Sequence, residues 1–321
     1  MSNKNTNLRA SLIRTLSDGR FYSGQQLAQQ YDLSRTAIAN NLSALAELGL
    51  DVFSVKGKGY ALSAPLKLLN EPLIRQHLSE PYEPPIRLFP VIDSTNTYIK
   101  DNMSHMTHGE VVIAEAQTAG RGRRGKSWVS PFGASIYLSL CWRFQGGYQQ
   151  IGGLSLFVGY TVLKALEGIG VDGLGLKWPN DIYRYGKKLG GILVEVDGQI
   201  GAEVNCVIGV GINVNATDIE SKIDQPFTDL SDHQVCRNHL CGELIESLNQ
   251  NLPEFEVSGL TTIVDQWNQR DVFSGQTVNI VTGSDIERGI NLGVDASGAM
   301  QLQLPDGIKI IHSGEVSLRG E

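Results

Sequence analysis

Cysteine is scarce in this chain and poorly placed for cross-linking. Cys141, Cys206, Cys236 and Cys241 include no C-x-x-C pair, so neither a zinc site nor a disulfide framework is expected from them, and a reducing cytoplasm is the natural setting. No apolar run approaches a membrane span. The start, Met1-Ser2-Asn3-Lys4-Asn5, is polar and lacks the apolar stretch of a signal peptide. No Ser–His or Cys–His nucleophile pattern emerges, and His77, His105, His108, His233, His239 and His312 all fall outside the motif-bearing segments. What is left for chemistry is charge and positioning. At 321 residues, two or three domains are expected.

The net charge of −7 is unevenly spread: residues 1–63 hold seven Lys/Arg against four Asp/Glu, a net of +3, and leave −10 on the remainder. A cationic head on an acidic body suggests a nucleic-acid module joined to something else. Leu8, Leu12, Ile13 and Leu16 mark one amphipathic helix. Ser23 with Gln26 forms a capping-box pattern for a second, which turns Leu27 and Tyr31 inward. Ser34 is placed to cap a third, with Ile38, Leu42 and Leu45 on one face and Arg35, Thr36, Asn40 and Asn41 on the other. Val52 to Leu62 reads as a hairpin with Lys56 and Lys58 at its tip. That is the layout of a winged helix-turn-helix, whose polar helix face enters a major groove and whose lysines rest on phosphates. A module of this kind used for protein contacts is the alternative.

The densest signal is Gly120-Arg121-Gly122-Arg123-Arg124-Gly125, a mobile cationic loop suited to close over an anion with several oxygens. It spells G-x-G-x-x-G after a strand-like Val111–Gln117. However, Pro131 and Gly133 arrive before any helical spacing, which argues against a dinucleotide fold. Other candidate sites follow the same logic. Asp93-Ser94-Thr95-Asn96 lies between a strand over 86–92 and a helix from Thr97. Lys177-Trp178-Pro179-Asn180-Asp181 crowds a lysine, an amide and a possible metal carboxylate at one strand end. Lys187 and Lys188 lie beside Gly186, Gly190 and Gly191. The buried-type strand Val207–Asn215 carries glycines that allow close approach. Each has an ordinary reading as cap, turn or hairpin; together they make a cationic, glycine-lined basin for phosphate activation. Residues 275–321 show short strands that read as a small β-barrel.

These motifs, with Ser313-Gly314-Glu315-Val316-Ser317-Leu318-Arg319 near the end, resemble those of the bifunctional biotin–protein ligase and biotin-operon repressor family over nearly the whole chain. The one departure is Gly190, where the family commonly has alanine. The resemblance implies an α+β multidomain fold: a winged head over 1–63 and a linker with a short helix over 64–85. A mixed α/β ligase domain of class II synthetase-like, biotin/lipoate type follows over 86–274, and an SH3-like barrel over 275–321. It implies ATP and biotin as substrates, Mg2+, and biotinyl-5′-AMP as intermediate and corepressor. By resemblance, Ser94, Thr95, Asn96 and Gln117 hold the biotin rings. Arg121, Gly122 and Arg123 close over the carboxylate and the adenylate phosphate, and Lys188 holds the carboxylate. Lys177, Asn180 and Asp181 manage triphosphate and magnesium, with Asp181 as the metal ligand. Trp128 and Asn213 lie near the nucleotide, with Arg319 on the ATP side. The implied partners are a biotin carboxyl carrier protein, operator DNA and, when biotinyl-AMP is bound, a second copy of the chain. A lipoate ligase, a catalytically dead repressor and an enzyme whose head no longer binds DNA are the competing readings.

Overall fold

The computed structural model describes residues 3–198, 203–216, 225–282, 285–312 and 316–320. Its first unit packs α1 (Asn3–Leu16), α2 (Gly24–Gln30) and α3 (Arg35–Ser43) around Leu12, Ile13, Leu16, Leu27, Ile38 and Leu42. Both halves of the Ser23–Gln26 capping box form. Ser34 Oγ accepts the Ala37 amide at 3.1 Å. Leu45, expected on the third helix, instead comes from a 3-10 turn over Ala44–Leu48. That turn ends at Gly49, whose φ of 79° suits glycine. The wing is an antiparallel pair, β1 (Val52–Val55) and β2 (Gly59–Leu62). Tyr22 and Tyr60 exchange backbone hydrogen bonds and hold it to the helices.

The linker carries one short helix, α4 (Glu71–Arg75), with Asn70 as its N-cap. The central unit then runs β3 (Ile86–Phe89), α5 (Thr95–Asp101), β4 (Val111–Ala114), β5 (Ser135–Phe144), α6 (Leu154–Gly168), β6 (Leu174–Lys177), β7 (Asp181–Arg184), β8 (Lys187–Gly198), β9 (Val204–Asn213), α7 (Arg237–Ser258) and α8 (Val264–Arg270). Its seven strands are ordered β3-β4-β5-β9-β8-β7-β6, with β3 and β4 parallel and every other pair antiparallel. Alternation along β9 separates the two faces. Ile208, Val210 and Ile212 join the large core with residues of α6 and α7. Val207, Gly209 and Gly211 face the opposite side, towards α5 and the loops after β4.

The tail is a five-stranded antiparallel sheet of β10 (Thr277–Thr282), β11 (Asp285–Val294), β12 (Met300–Leu304), β13 (Gly307–Ile311) and β14 (Val316–Gly320). Trp178, 1 % exposed, donates Nε1 to Gly298 O at 3.1 Å and joins the tail to the central unit. The head joins it elsewhere. Ala116 and Phe132 belong to the head's own apolar core, and the Phe132 amide donates to Leu48 O at 2.9 Å. Among the described residues no helix is long and apolar enough to cross a membrane.

Candidate active site

Three groups of motif residues meet on the glycine-bearing face. The first is at the start of α5. Ser94 caps the helix by accepting the Thr97 amide at 3.4 Å, so the helix starts at Thr95, two residues earlier than the apolar spacing suggests. Thr95 donates its amide (2.9 Å) and its hydroxyl (3.2 Å) to Gln117 Oε1. Gln117 in turn donates to Ser130 Oγ at 3.0 Å. Ser139 Oγ on β5 lies 2.7 Å from Thr95 Oγ1 and 2.6 Å from Asn96 Oδ1. Asn96 Nδ2 donates to Leu193 O (3.2 Å) and Glu195 Oε2 (3.1 Å). Ser94, Thr95 and Asn96 are all buried. A satisfied polar network in a buried place is rigid, and so presents donors and acceptors at fixed positions. It also needs Gly209, since any Cβ there would run into the Asn96 carboxamide.

The second group is the arginine–glycine loop. Arg121 and Ser127 form an isolated antiparallel bridge, Gly122 N donates to Lys126 O at 2.7 Å, and Arg124 sits at a φ of 57°. Arg121 pairs with Glu195 and reaches Thr97 Oγ1 at 3.4 Å. Lys100 shares the same carboxylate at 3.6 Å. Arg123 NH1 reaches Asn180 Oδ1 at 3.4 Å, on the turn between β6 and β7. Burial pulls the Arg123 guanidinium below its ordinary value; Asp181 opposes this and Arg124 adds to it. A bound anion would reverse that balance.

The third group is Lys188 and Asp181. Lys188 Nζ stands 2.7 Å from Asp181 Oδ1, with the two side chains only 14 % and 13 % exposed. That oxygen accepts no hydrogen bond among the described residues, so its partner there is the charge alone. The Trp128 ring lies 5.5 Å from the same ammonium and spreads over Gly191 and Gly211, where a Cβ at Gly211 would come within 2.8 Å of it. Trp128 Nε1 is buried without a hydrogen-bond partner among the described residues. Gly190 is explained by its neighbours, since a Cβ would meet Ile212 Cδ1 at 2.5 Å and Gly211 O at 2.6 Å.

The remaining motif residues lie around these groups. Asn180 exchanges hydrogen bonds with Ile192, Nδ2 to O and O from N, both at 2.8 Å. The Lys177 side chain turns to Tyr183 OH at 3.2 Å, with the Tyr183 and Phe273 rings 5.4 and 5.7 Å from its ammonium. Asn213 is buried and donates to Thr228 O at 3.1 Å. Arg319 pairs through its backbone with Asn279, and its side chain lies outside the described residues; so do residues 313–315 of the closing motif. On the head, Arg35, Thr36 and Asn40 are exposed, whereas Asn41 is half-buried and donates Nδ2 back to Ala37 O at 2.9 Å. Lys56 and Lys58 are exposed at the wing tip, Lys58 lying 5.8 Å from the Phe21 ring. Glu195, Ser139 and Ser130 were not singled out from the sequence. The lone carboxylate inside the apolar run Ile192–Val196 was the one available signal.

Residues 88–213 match the Biotin/lipoate A/B protein ligase family, residues 273–319 the Biotin protein ligase C terminal domain, and residues 9–61 an HTH domain. The Bifunctional ligase/repressor BirA of Salmonella typhimurium is 40 % identical over 319 residues, covering 98 % of this chain and 99 % of that protein. The protein of the same name from Escherichia coli is also 40 % identical, covering 98 % of each. Among solved structures, the biotin protein ligase from Aquifex aeolicus in complex with biotin and ATP superposes with a TM-score of 0.64 at 28 % identity. It covers 74 % of this chain and 99 % of its own.

Proposed function

The chain belongs to the family of bifunctional biotin ligases and repressors, and from that premise we propose how its residues carry both activities. It is an ATP-dependent biotin–protein ligase and a biotin-responsive repressor. Biotin carboxylate and ATP repel one another unless cations stand between them. The observation that carries the assignment is the convergence of Arg121, Arg123 and Lys188 on the glycine-bearing face, beside the rigid Thr95–Gln117–Asn96 network.

In this reading Ser94, Thr95, Asn96 and Gln117 hold the polar edge of the biotin rings, and Gly122 lets the loop backbone approach. Arg121 exchanges Glu195 for the carboxylate, and Arg123 and Lys188 bring that carboxylate into line with the α-phosphate. Trp128 covers the nucleotide, with Asn213 bracing the strand end and Lys177 and Arg319 on the phosphate side. The carboxylate oxygen attacks the α-phosphorus and pyrophosphate leaves, giving biotinyl-5′-AMP. A closed loop keeps water from the mixed anhydride. A lysine amine of the carrier protein then attacks the acyl carbon and releases AMP. Asp181 suits a magnesium ion: Mg2+ takes one or two carboxylates plus phosphate oxygens and water, and the buried Asp181 Oδ1, faced by the Lys188 ammonium at 2.7 Å, accepts no hydrogen bond from the other described residues. When bound, the ion would neutralise the departing phosphates.

The repressor half rests on α3 and the wing, with Arg35, Thr36, Asn40 and Asn41 towards bases and Lys56 and Lys58 on phosphates. Bound biotinyl-5′-AMP orders the loops and favours a homodimer through the central unit, which spans two operator half-sites. Adenylate and operator then assist one another by the same factor. Two measurements test the reading. Biotin with ATP should release pyrophosphate, whereas lipoate should not, and Arg123→Gly should let the anhydride escape to label bystander lysines; strict acceptor choice in that variant would defeat the lid. Gel shift on the biotin-operon promoter should tighten with biotin plus ATP, and indifference to both would defeat the coupling.

A further inference from the structure

The six histidines take no part in the ligase chemistry, yet two of them meet. His77 follows α4 in the linker, and His239 lies on the first turn of α7; their rings stack with centroids 4.2 Å apart and 26° between planes. One turn along α7, Glu243 Oε1 lies 3.3 Å from His239 Nε2. The ligand atoms of His77, His239 and Glu243 all fall within 4.8 Å of one another, and each side chain is half-buried, with one side open to water.

The backbone around them is built for close approach. Gly242 lies between His239 and Glu243, and a Cβ there would meet His77 Cβ at 2.5 Å and Ile74 O at 2.8 Å. The linker is laid along α7 over several turns. Arg237 donates to Lys67 O at 2.9 Å and Asn238 to Leu68 O at 3.2 Å, while Asn238 Oδ1 accepts the Asn70 amide at 2.7 Å. Further on, Glu246 accepts the Ser79 amide at 3.2 Å. The histidine–glutamate cluster sits in the middle of this seam.

We propose that His77, His239 and Glu243 form a divalent transition-metal site, with zinc the best match, that pins the linker to α7. Two imidazoles and a carboxylate with an open fourth position are a recognised zinc ligand set. In a tetrahedral site with bonds of ~2.0–2.1 Å, ligand atoms stand roughly 3.3 Å apart. His239 and Glu243 already have that spacing. His77 must tilt out of its stack, which its partial exposure permits. Coordination takes each imidazole in its neutral form. The ion would join a segment next to the head to a helix of the catalytic unit, without touching the ligase site.

The test uses the full-length protein stripped of metal, with Co2+ as the probe. One Co2+ per chain should bind with the strong visible bands of a tetrahedral site, and Zn2+ should displace it. Each of H77Q, H239Q and E243Q should weaken binding by at least about tenfold. At one Zn2+ concentration the melting temperature of the natural protein should rise clearly more than that of H77Q. Because the three residues lie on two elements, failure of one variant to fold leaves the others decisive, with melting in metal-free buffer as the check. Absence of tetrahedral Co2+ bands, or undiminished binding in any folded variant, would overturn the site and leave a stacked histidine pair with an ordinary ion pair. Neither readout depends on ligase turnover, so its failure leaves the ligase assignment standing.

Discussion

The two faces of the central sheet are made from the same strands and differ in almost everything else. On the closed face, Ile208, Val210 and Ile212 pack into one core with residues of α6 and α7, and the side chains are large and apolar. On the open face the same strands present Gly191, Gly209, Gly211, Ser139 and Glu195, and lean on α5 and the Trp128 segment. One strand thus does two jobs at alternate positions. Each glycine on the open face gives up packing so that an amide or indole can come close, and the stability withheld there is supplied across the sheet. The difference teaches that reactivity and robustness separate here by parity along a strand rather than by domain.

Substitutions can break this comparison, and the largest effect is expected on the open face. Lys188→Gln should lower the adenylation rate by about 10²–10³-fold, while its melting temperature moves less than in the next variant; near-normal pyrophosphate release would refute the assignment. Ile208→Ala on the closed face should cost about 2–5 kcal/mol of stability, read from denaturant midpoints, yet leave the turnover of the folded fraction close to normal. A folded Ile208→Ala enzyme with severely reduced turnover would show that the faces are not separable. The smallest effect concerns Arg184, whose buried side chain at the end of β7 is matched by Asp232 and Asp172. Its hydrogen bonds hold the Asp232 carboxyl below the usual range. The stability this confers is present above that range and is lost as pH falls through the lowered value. Asp232→Asn should therefore flatten the acid limb of melting temperature against pH; an unchanged limb would leave the pair without energetic weight.

Much of this could be read from the chain. The capping box, the Ser34 cap, the wing, the linker helix and the arginine loop are local signals, carried by neighbours in sequence, and they reappear in the structure. Leu45 was misplaced by one element because apolar spacing continues smoothly from an α-helix into a 3-10 turn. Glu195 and Ser139 escaped notice because a strand residue acquires its partner only when sheet order is known. Ser139 meets Asn96 because α5 lies against β5, and nothing local announces that. Lys177 shows the converse: a motif lysine whose nearest neighbours, Tyr183 and Phe273, lie apart from the Lys188–Asp181 pair.

Phe132 lies five residues beyond Ser127, within a stretch that also supplies Trp128 and Ser130 to the site, yet its ring is counted in the head's core and its amide is bound by Leu48. Excising the amino-terminal module would therefore strip an aromatic ring and a satisfied donor at one stroke, close to Trp128 and Ser130. A shortened enzyme should need a compensating polar change at Phe132 to stay monodisperse, so the two modules cannot be recombined as interchangeable cassettes.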